Sequence, residues 1–197
     1  VQTCALPISR QVYTPRWAHC DDNHAWVEVF VDGEWHFLGA CEPEEVLDTG
    51  WFSGPANRAI LIHTRNFSDY VKESNEEYLG KEGALYYFNH TDFYGRTKLV
   101  KILVKDENGK PAAGAHIAVE ILNMAEFFPA AVMIADADGE VRMTLGLGDI
   151  RVRAFDGIRR AEAMMRIEEE DSLELVLREE AVPEADDRWQ TLEIRAP

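Results

Sequence analysis

Cysteine is scarce in this chain, with three in 197 residues and no Cys-x-x-Cys spacing. That excludes a disulfide-stapled scaffold and the zinc-ribbon and thioredoxin motifs. Basic residues are thin as well, 20 against 36 acidic ones, and a net charge of −16 excludes nucleic acid or an anionic membrane as the main partner surface. No apolar run approaches the roughly 18 residues needed to span a bilayer, and no basic stretch leading into an apolar one opens the chain as a signal peptide does. What is present is a 46% hydrophobic content, ample for a packed core in a soluble globular chain of one to two domains.

The first nine residues, Val1 to Ser9, match the in-frame translation of a common short-read sequencing adapter. They are read as a library scar (1–9), set apart from the fold, and this removes Cys4 as a nucleophile; the alternative is that Cys4 is a genuine one. On this reading the chain is a metagenomic fragment of a protein that extends upstream.

The richest stretch is His24-Ala25-Trp26-Val27-Glu28-Val29, followed by Asp32-Gly33 and Trp35. Alternation places His24, Trp26, Glu28 and Phe30 on one strand face and Ala25, Val27 and Val29 on the other. A two-residue type I′ turn at Asp32-Gly33 pairs Val31 with Glu34 and Phe30 with Trp35. Carried down the ladder, that register pairs Trp26 with Gly39 and His24 with Cys41, whose Cβ atoms would then lie about 5 Å apart. Trp26 and Trp35 read as core aromatics, with Trp26 also walling a cleft, and Glu28 as an exposed or paired strand carboxylate.

Further strands are expected at Arg10 to Thr14, Arg58 to Thr64 and Leu85 to Phe88, with 66–82 irregular or briefly helical. From about Thr97 the character changes to short strands separated by turn signals. Lys98 to Val104, Ala115 to Leu122, Ala130 to Ala135, Glu140 to Leu145, Ile150 to Phe155, Ile158 to Ile167 and Ser172 to Leu177 have the spacing of a seven-stranded sandwich. Asn123 to Phe128 reads as irregular, and Gly146-Leu147-Gly148-Asp149 as a strand connection, because no helix pattern follows it. Residues 179–197 read as an acidic linker or the start of a further element, with a strand beginning near Trp189.

The His24 hairpin resembles the histidine-bearing hairpin of the transglutaminase-like superfamily, a papain-like Cys-His-Asp group. The resemblance implies a partial α+β core over 10–95, represented by its β part, in which His24 is the catalytic base of a cysteine peptidase-like or acyl-transfer enzyme. The family's helix-borne nucleophile is absent, and Gly39 stands four residues after Trp35, where the family has its aspartate. Glu42 is the nearest downstream carboxylate, and Cys41-Glu42 resembles the Cys-Glu pair of peptide N-glycanases, so Glu42 is the candidate orienter. Gly39, Cys41, Trp26 and Asp22 are expected to line the cleft.

Over 96–178, Asp106 to Ala115 and Asp136 to Gly139 resemble the carboxypeptidase-regulatory-like or prealbumin-like β-sandwich of bacterial secreted and surface proteins. The fold class expected is therefore mainly β, a partial transglutaminase-like core followed by an Ig/prealbumin-like sandwich. The reading implies an extracytoplasmic protein, secreted or at the cell surface, with a protein or peptide substrate, no membrane insertion, no cofactor and no metal. Cys20 and Cys41 lie near one end of the hairpin and could pair in an oxidising compartment, while Cys20, Asp22 and His24 form the weaker metal alternative. The second functional class is a non-catalytic binding or cell-surface module with a degenerate triad, and in either case the chain as it stands is expected to be inactive.

Overall fold

The computed structural model describes residues 8–67, 76–179 and 192–195. It is mainly β, with two sheets and two one-turn helices. The first sheet holds β1 (Ile8–Thr14), β2 (His24–Val31), β3 (Glu34–Leu38), β4 (His63–Asn66), β5 (Glu77–Glu82) and β6 (Leu85–Asn89), in the order β3-β2-β1-β4-β6-β5. All its pairings are antiparallel. The helices α1 (Ser53–Ala56) and α2 (Thr91–Tyr94) pack on it.

Asp32 and Gly33 both have positive φ, 53° and 93°, as a type I′ turn demands. The turn pairs Val31 with Glu34 and Phe30 with Trp35, but the ladder ends at Val27 opposite Leu38. Trp26 and Gly39, and His24 and Cys41, are therefore not ladder partners, because the chain leaves the sheet after Leu38. β1 begins at Ile8, inside the segment read as a scar, with Ile8 and Ser9 opposite Phe30 and Val29. Backbone pairing needs no particular side chain, so a sequence of any origin can extend the end of a strand.

The second sheet comprises β7 (Thr97–Asp106), β8 (His116–Asn123), β9 (Glu126–Ile134), β10 (Glu140–Gly146), β11 (Asp149–Phe155), β12 (Arg159–Arg166) and β13 (Ser172–Glu179), ordered β10-β7-β13-β12-β11-β8-β9. Among the described residues β12 and β13 share just two ladder pairs, Arg159 with Glu179 and Arg160 with Arg178. The sheet therefore folds over at that point. Val100, Ile102, Met143 and Leu175 of one layer meet Ile117, Val119, Ile150 and Val152 of the other in one core. The stretch expected to be irregular is instead a hairpin: Met124 and Ala125 turn with φ of 54° and 59°, and β9 follows. Pro129 is tolerated there because β9 is an edge strand and a bulge lies opposite it between Val119 and Glu120.

Two further expectations fail for identifiable reasons. The strand proposed over 58–64 starts only at His63, because Ala59 and Ile62 sit in the first core while Ile60 and Leu61 sit in the second. A segment buried on all sides cannot show the one-sided alternation of a surface strand. β5 was hidden because half of its six residues are charged and Leu79 bulges out of the ladder between Tyr78 and Gly80, the latter at φ 147°. Trp189 lies outside the described residues, and residues 192–195 form no strand. Arg195 instead exchanges two hydrogen bonds with Asp149, one to its backbone N–H and one to its carboxylate.

The two sheets are joined by more than the chain between them. The Asn123 side chain donates to the carbonyls of Trp17 and Cys20, both at 2.8 Å, and the Met124 N–H donates to Asp21. The Glu77 carboxylate accepts from the Thr144 N–H, the Asn89 amide donates to the Thr144 carbonyl at 2.6 Å, and the Gly146 N–H donates to Ile60 O.

Candidate functional site

His24 opens β2 at the end of a loop that closes on itself through the Trp17 N–H and the Asp22 carbonyl, 2.9 Å apart. Its imidazole lies in an aromatic box. The ring centroids of Trp51, Phe52, Trp26 and Trp17 are 4.6, 5.0, 5.7 and 6.2 Å away. Trp17, Trp26 and Phe52 are core residues, whereas Trp51 is 58% exposed and forms the rim. Burial by these rings lowers the His24 pKa, and the charges of Asp22 and Glu42 oppose that without overcoming it. The ring is thus neutral at physiological pH.

A pocket of about 230 Å³ opens beside it, lined by His24, Ala25, Gly39, Ala40, Cys41, Glu42, Trp51 and Phe52. Gly39, Cys41 and Glu42 therefore lie in one hollow with His24. Trp26 does not reach the hollow: it is 1% exposed, and its indole N–H donates to the Tyr94 hydroxyl at 2.7 Å. Asp22 lies outside the lining and accepts from the Asn23 N–H. No hydrogen bond joins Glu42 to His24, so the carboxylate does not set the imidazole tautomer. Gly39 explains the missing aspartate. A Cβ at that position would lie 2.5 Å from the Glu42 carbonyl oxygen, so any side chain at 39 collides with backbone.

Cys20 and Cys41 are both exposed and unpaired, so the suggested disulfide is not formed. Neither α1 nor α2 contains a cysteine, and no helix N-terminus among the described residues presents a thiol to His24. Cys4 lies outside the described residues. Among those described, no three His, Cys, Asp or Glu side chains converge as metal ligands, and Cys20, Asp22 and His24 form no such group.

No family model matches the chain, and no curated protein matches it. Among solved structures, a Streptococcal ancillary pilin aligns over 86% of this chain and 61% of its own length, at 10% identity and a TM-score of 0.33. The shaft pilin spaA from Lactobacillus rhamnosus GG aligns over 90% of this chain and 86% of its own, at 9% identity and a TM-score of 0.35. These neighbours are pilins. The expected transglutaminase-like membership is corrected, and with it the partial transglutaminase core, the cysteine peptidase-like character and the reading of the chain as a fragment of a thiol acyl-transfer enzyme: no transglutaminase-like family model matches the chain. The geometry around Gly39 and the absence of a helix-borne thiol give the physical side of the same correction.

The sequence reading missed a buried polar network behind the aromatic box. Glu28 is fully buried, accepts from Arg10 Nε at 2.7 Å and accepts from the Tyr94 hydroxyl, which in turn accepts from Trp26. Arg10 also donates to Glu76 at 2.7 Å, lies 3.2 Å from His90 Nε2 and stacks 3.8 Å above Trp35. Burial raises the Glu28 pKa, the Arg10 charge and hydrogen bonds opposing it, while burial and Arg10 push His90 down to about 3. The available signal was register: Arg10 on β1 sits directly opposite Glu28 on β2, an opposite-charge cross-strand pair.

His63 is a second buried imidazole, flanked edge-on by Tyr13 and Tyr87. Burial, helped by the Arg65 charge, pushes its pKa down to about 4 from 6.5. Because the folded value lies below the unfolded one, the unfolded chain binds the extra proton between them. His63 therefore contributes stability that is full above pH 6.5 and is lost as pH falls toward 4. Urea titrations across that window should show a steeper loss for the wild type than for His63→Phe, with the divergence reaching about 2 to 3 kcal/mol. Equal slopes would refute the assignment.

Proposed function

We propose that the chain is a non-catalytic structural module of an extracytoplasmic, surface-exposed protein, in which two β units act as one rigid spacer. The units are assigned to 10–95 and 96–178, the second being an Ig/prealbumin-like sandwich. One observation carries the reading. The segment from Ala59 to Ile62 places Ala59 and Ile62 in the first core and Ile60 and Leu61 in the second, so the second core is completed by residues of the first unit. Independent domains on a flexible linker bury no such shared segment.

The polar clamp supports it. Asn123 is 3% exposed and ties the tip of the β8–β9 hairpin to the loop before β2, while Glu77 and Asn89 tie β5 and β6 to β10. A buried joint of this kind resists bending but brings no reactive groups together. Among the described residues no helix is long and apolar enough to cross a membrane. Protein, rather than nucleic acid, is the partner class that suits a net charge of −16.

Differential scanning calorimetry tests the proposal. A single transition is expected, with calorimetric and van't Hoff enthalpies equal, because the shared segment couples the two units. Two separable transitions would overturn the rigid-spacer reading.

A further inference from the structure

Between the sheets lies a cleft of about 470 Å³, well within the roughly 300–1,000 Å³ typical of small-molecule sites. Its floor is one face of the first sheet. Tyr13 pairs with His63 and Arg65 with Tyr87 across β1, β4 and β6, so these four side chains share that face. The opposite wall is Phe128 to Val132 of β9. Gly80 leaves the mouth open, since a Cβ built there meets nothing within 4 Å.

Arg65 is the unusual member. Its guanidinium lies 4.1 Å over the Tyr13 ring, its Nε is buried without a hydrogen-bond partner, and no carboxylate among the described residues pairs with it. Arg10, Arg151 and Arg159 by contrast each hold a carboxylate, and Arg16, whose guanidinium lies 3.9 Å over Phe128 of the facing wall with its own Nε buried and unpartnered, shares the arrangement of Arg65. The cleft's own carboxylate, Glu82, is engaged by the Tyr87 hydroxyl at 3.0 Å, and the Lys81 ammonium is held against Tyr86. His63 beside it has a buried Nδ1 that also lacks a hydrogen bond. Arg65 is thus a planar cation, oriented by an aromatic ring and left without its usual anion, on the floor of a cleft with apolar walls at Leu79, Pro129 and Ala131.

We propose that this cleft binds a carboxylate carried on a six-membered ring, with the acid paired to Arg65 and the ring lying between the tyrosine face and the β9 wall. Guanidinium and carboxylate match in planar, paired hydrogen bonds, and aromatic faces receive a flat or weakly polar ring. The site is independent of the spacer reading, because it needs only that the two sheets face one another.

The test is an NMR titration of the whole chain with glucuronate and with benzoate, each against its neutral counterpart, glucose and benzamide. The two acids separate a sugar acid from an aromatic acid as the source. At least one acid should shift the Arg65 Nε–H and the ring signals of Tyr13 and Tyr87, with its neutral counterpart binding at least about tenfold more weakly. Arg65→Gln should weaken the acid by a similar factor, with Arg65→Lys intermediate. Val132→Trp, a change at an exposed cleft position, should block binding while leaving Arg65 in place. Failure of both acids to bind, equal binding of acid and neutral ring, or unchanged affinity in Arg65→Gln and Val132→Trp would each overturn the proposal.

Discussion

Glu28→Ala should lower the unfolding free energy by about 3 to 5 kcal/mol, the range for removing one partner of a buried ion pair. Glu28 is the acceptor on which the network converges: Arg10 and Tyr94 both donate to it, and His90 Nε2 lies 3.3 Å away. Without it a nearly buried guanidinium keeps Glu76 and the Trp35 face but loses its closest buried counter-charge, while Tyr94 loses its acceptor. Glu28→Gln should cost less, since it keeps an acceptor and the volume. The informative companion is Arg10→Met with Glu28→Leu, which removes both charges and should recover much of the loss. Urea midpoints measure all three. A Glu28→Ala protein within about 1 kcal/mol of wild type would mean that the pair is not buried as described.

Gly146→Ala is expected to be nearly as damaging, at about 3 kcal/mol, the upper end for forcing a methyl into packed structure. A Cβ at 146 would sit 2.0 Å from the Ala59 carbonyl oxygen and 3.1 Å from Ile60 Cα, both backbone atoms that cannot rotate away. The contact falls where the Gly146 N–H donates to Ile60 O, so relief means parting β10 from the shared segment and withdrawing Ile60 and Leu61 from the second core. Gly54→Ala is the matched control. Its Cβ meets nothing within 4 Å, so only the preference against a side chain in helical conformation before Pro55 opposes it, and its midpoint should fall far less. Similar midpoints for the two variants would show that the joint is not tight at Gly146.

The parts of this fold that were legible in the sequence are those in which a local rule has one solution. Asp32-Gly33 is such a case, because two successive residues at positive φ admit few pairs, and the turn then dictates the strands on either side. The turns at Asp106 and Asp136 are another: each aspartate accepts two backbone N–H groups just downstream, a purely local bond pattern.

What stayed hidden depends on residues far apart in the chain. Ile60 and Leu61 look like half of an alternating strand until a second core is seen to claim them. Asn123 carries no sign that its partners lie 103 and 106 positions away. The candidate site failed in a different manner. The hairpin around His24 was read correctly as a strand and turn, but its chemistry was inferred from residues that a family would have placed at 39 and upstream. Gly39 excludes a side chain for a steric reason visible only once the loop to Glu42 is closed.

The pairing of β7 with β13 has a mechanical consequence. These are the first and last strands of the second sheet, and they run parallel from Ser172 opposite Lys101 to Leu177 opposite Asp106. Tension applied at the start of β7 and the end of β13 therefore slides the two strands along each other. Their interstrand hydrogen bonds are loaded together in shear rather than peeled one at a time, so the unit should yield at a higher force than an antiparallel pair pulled from one end.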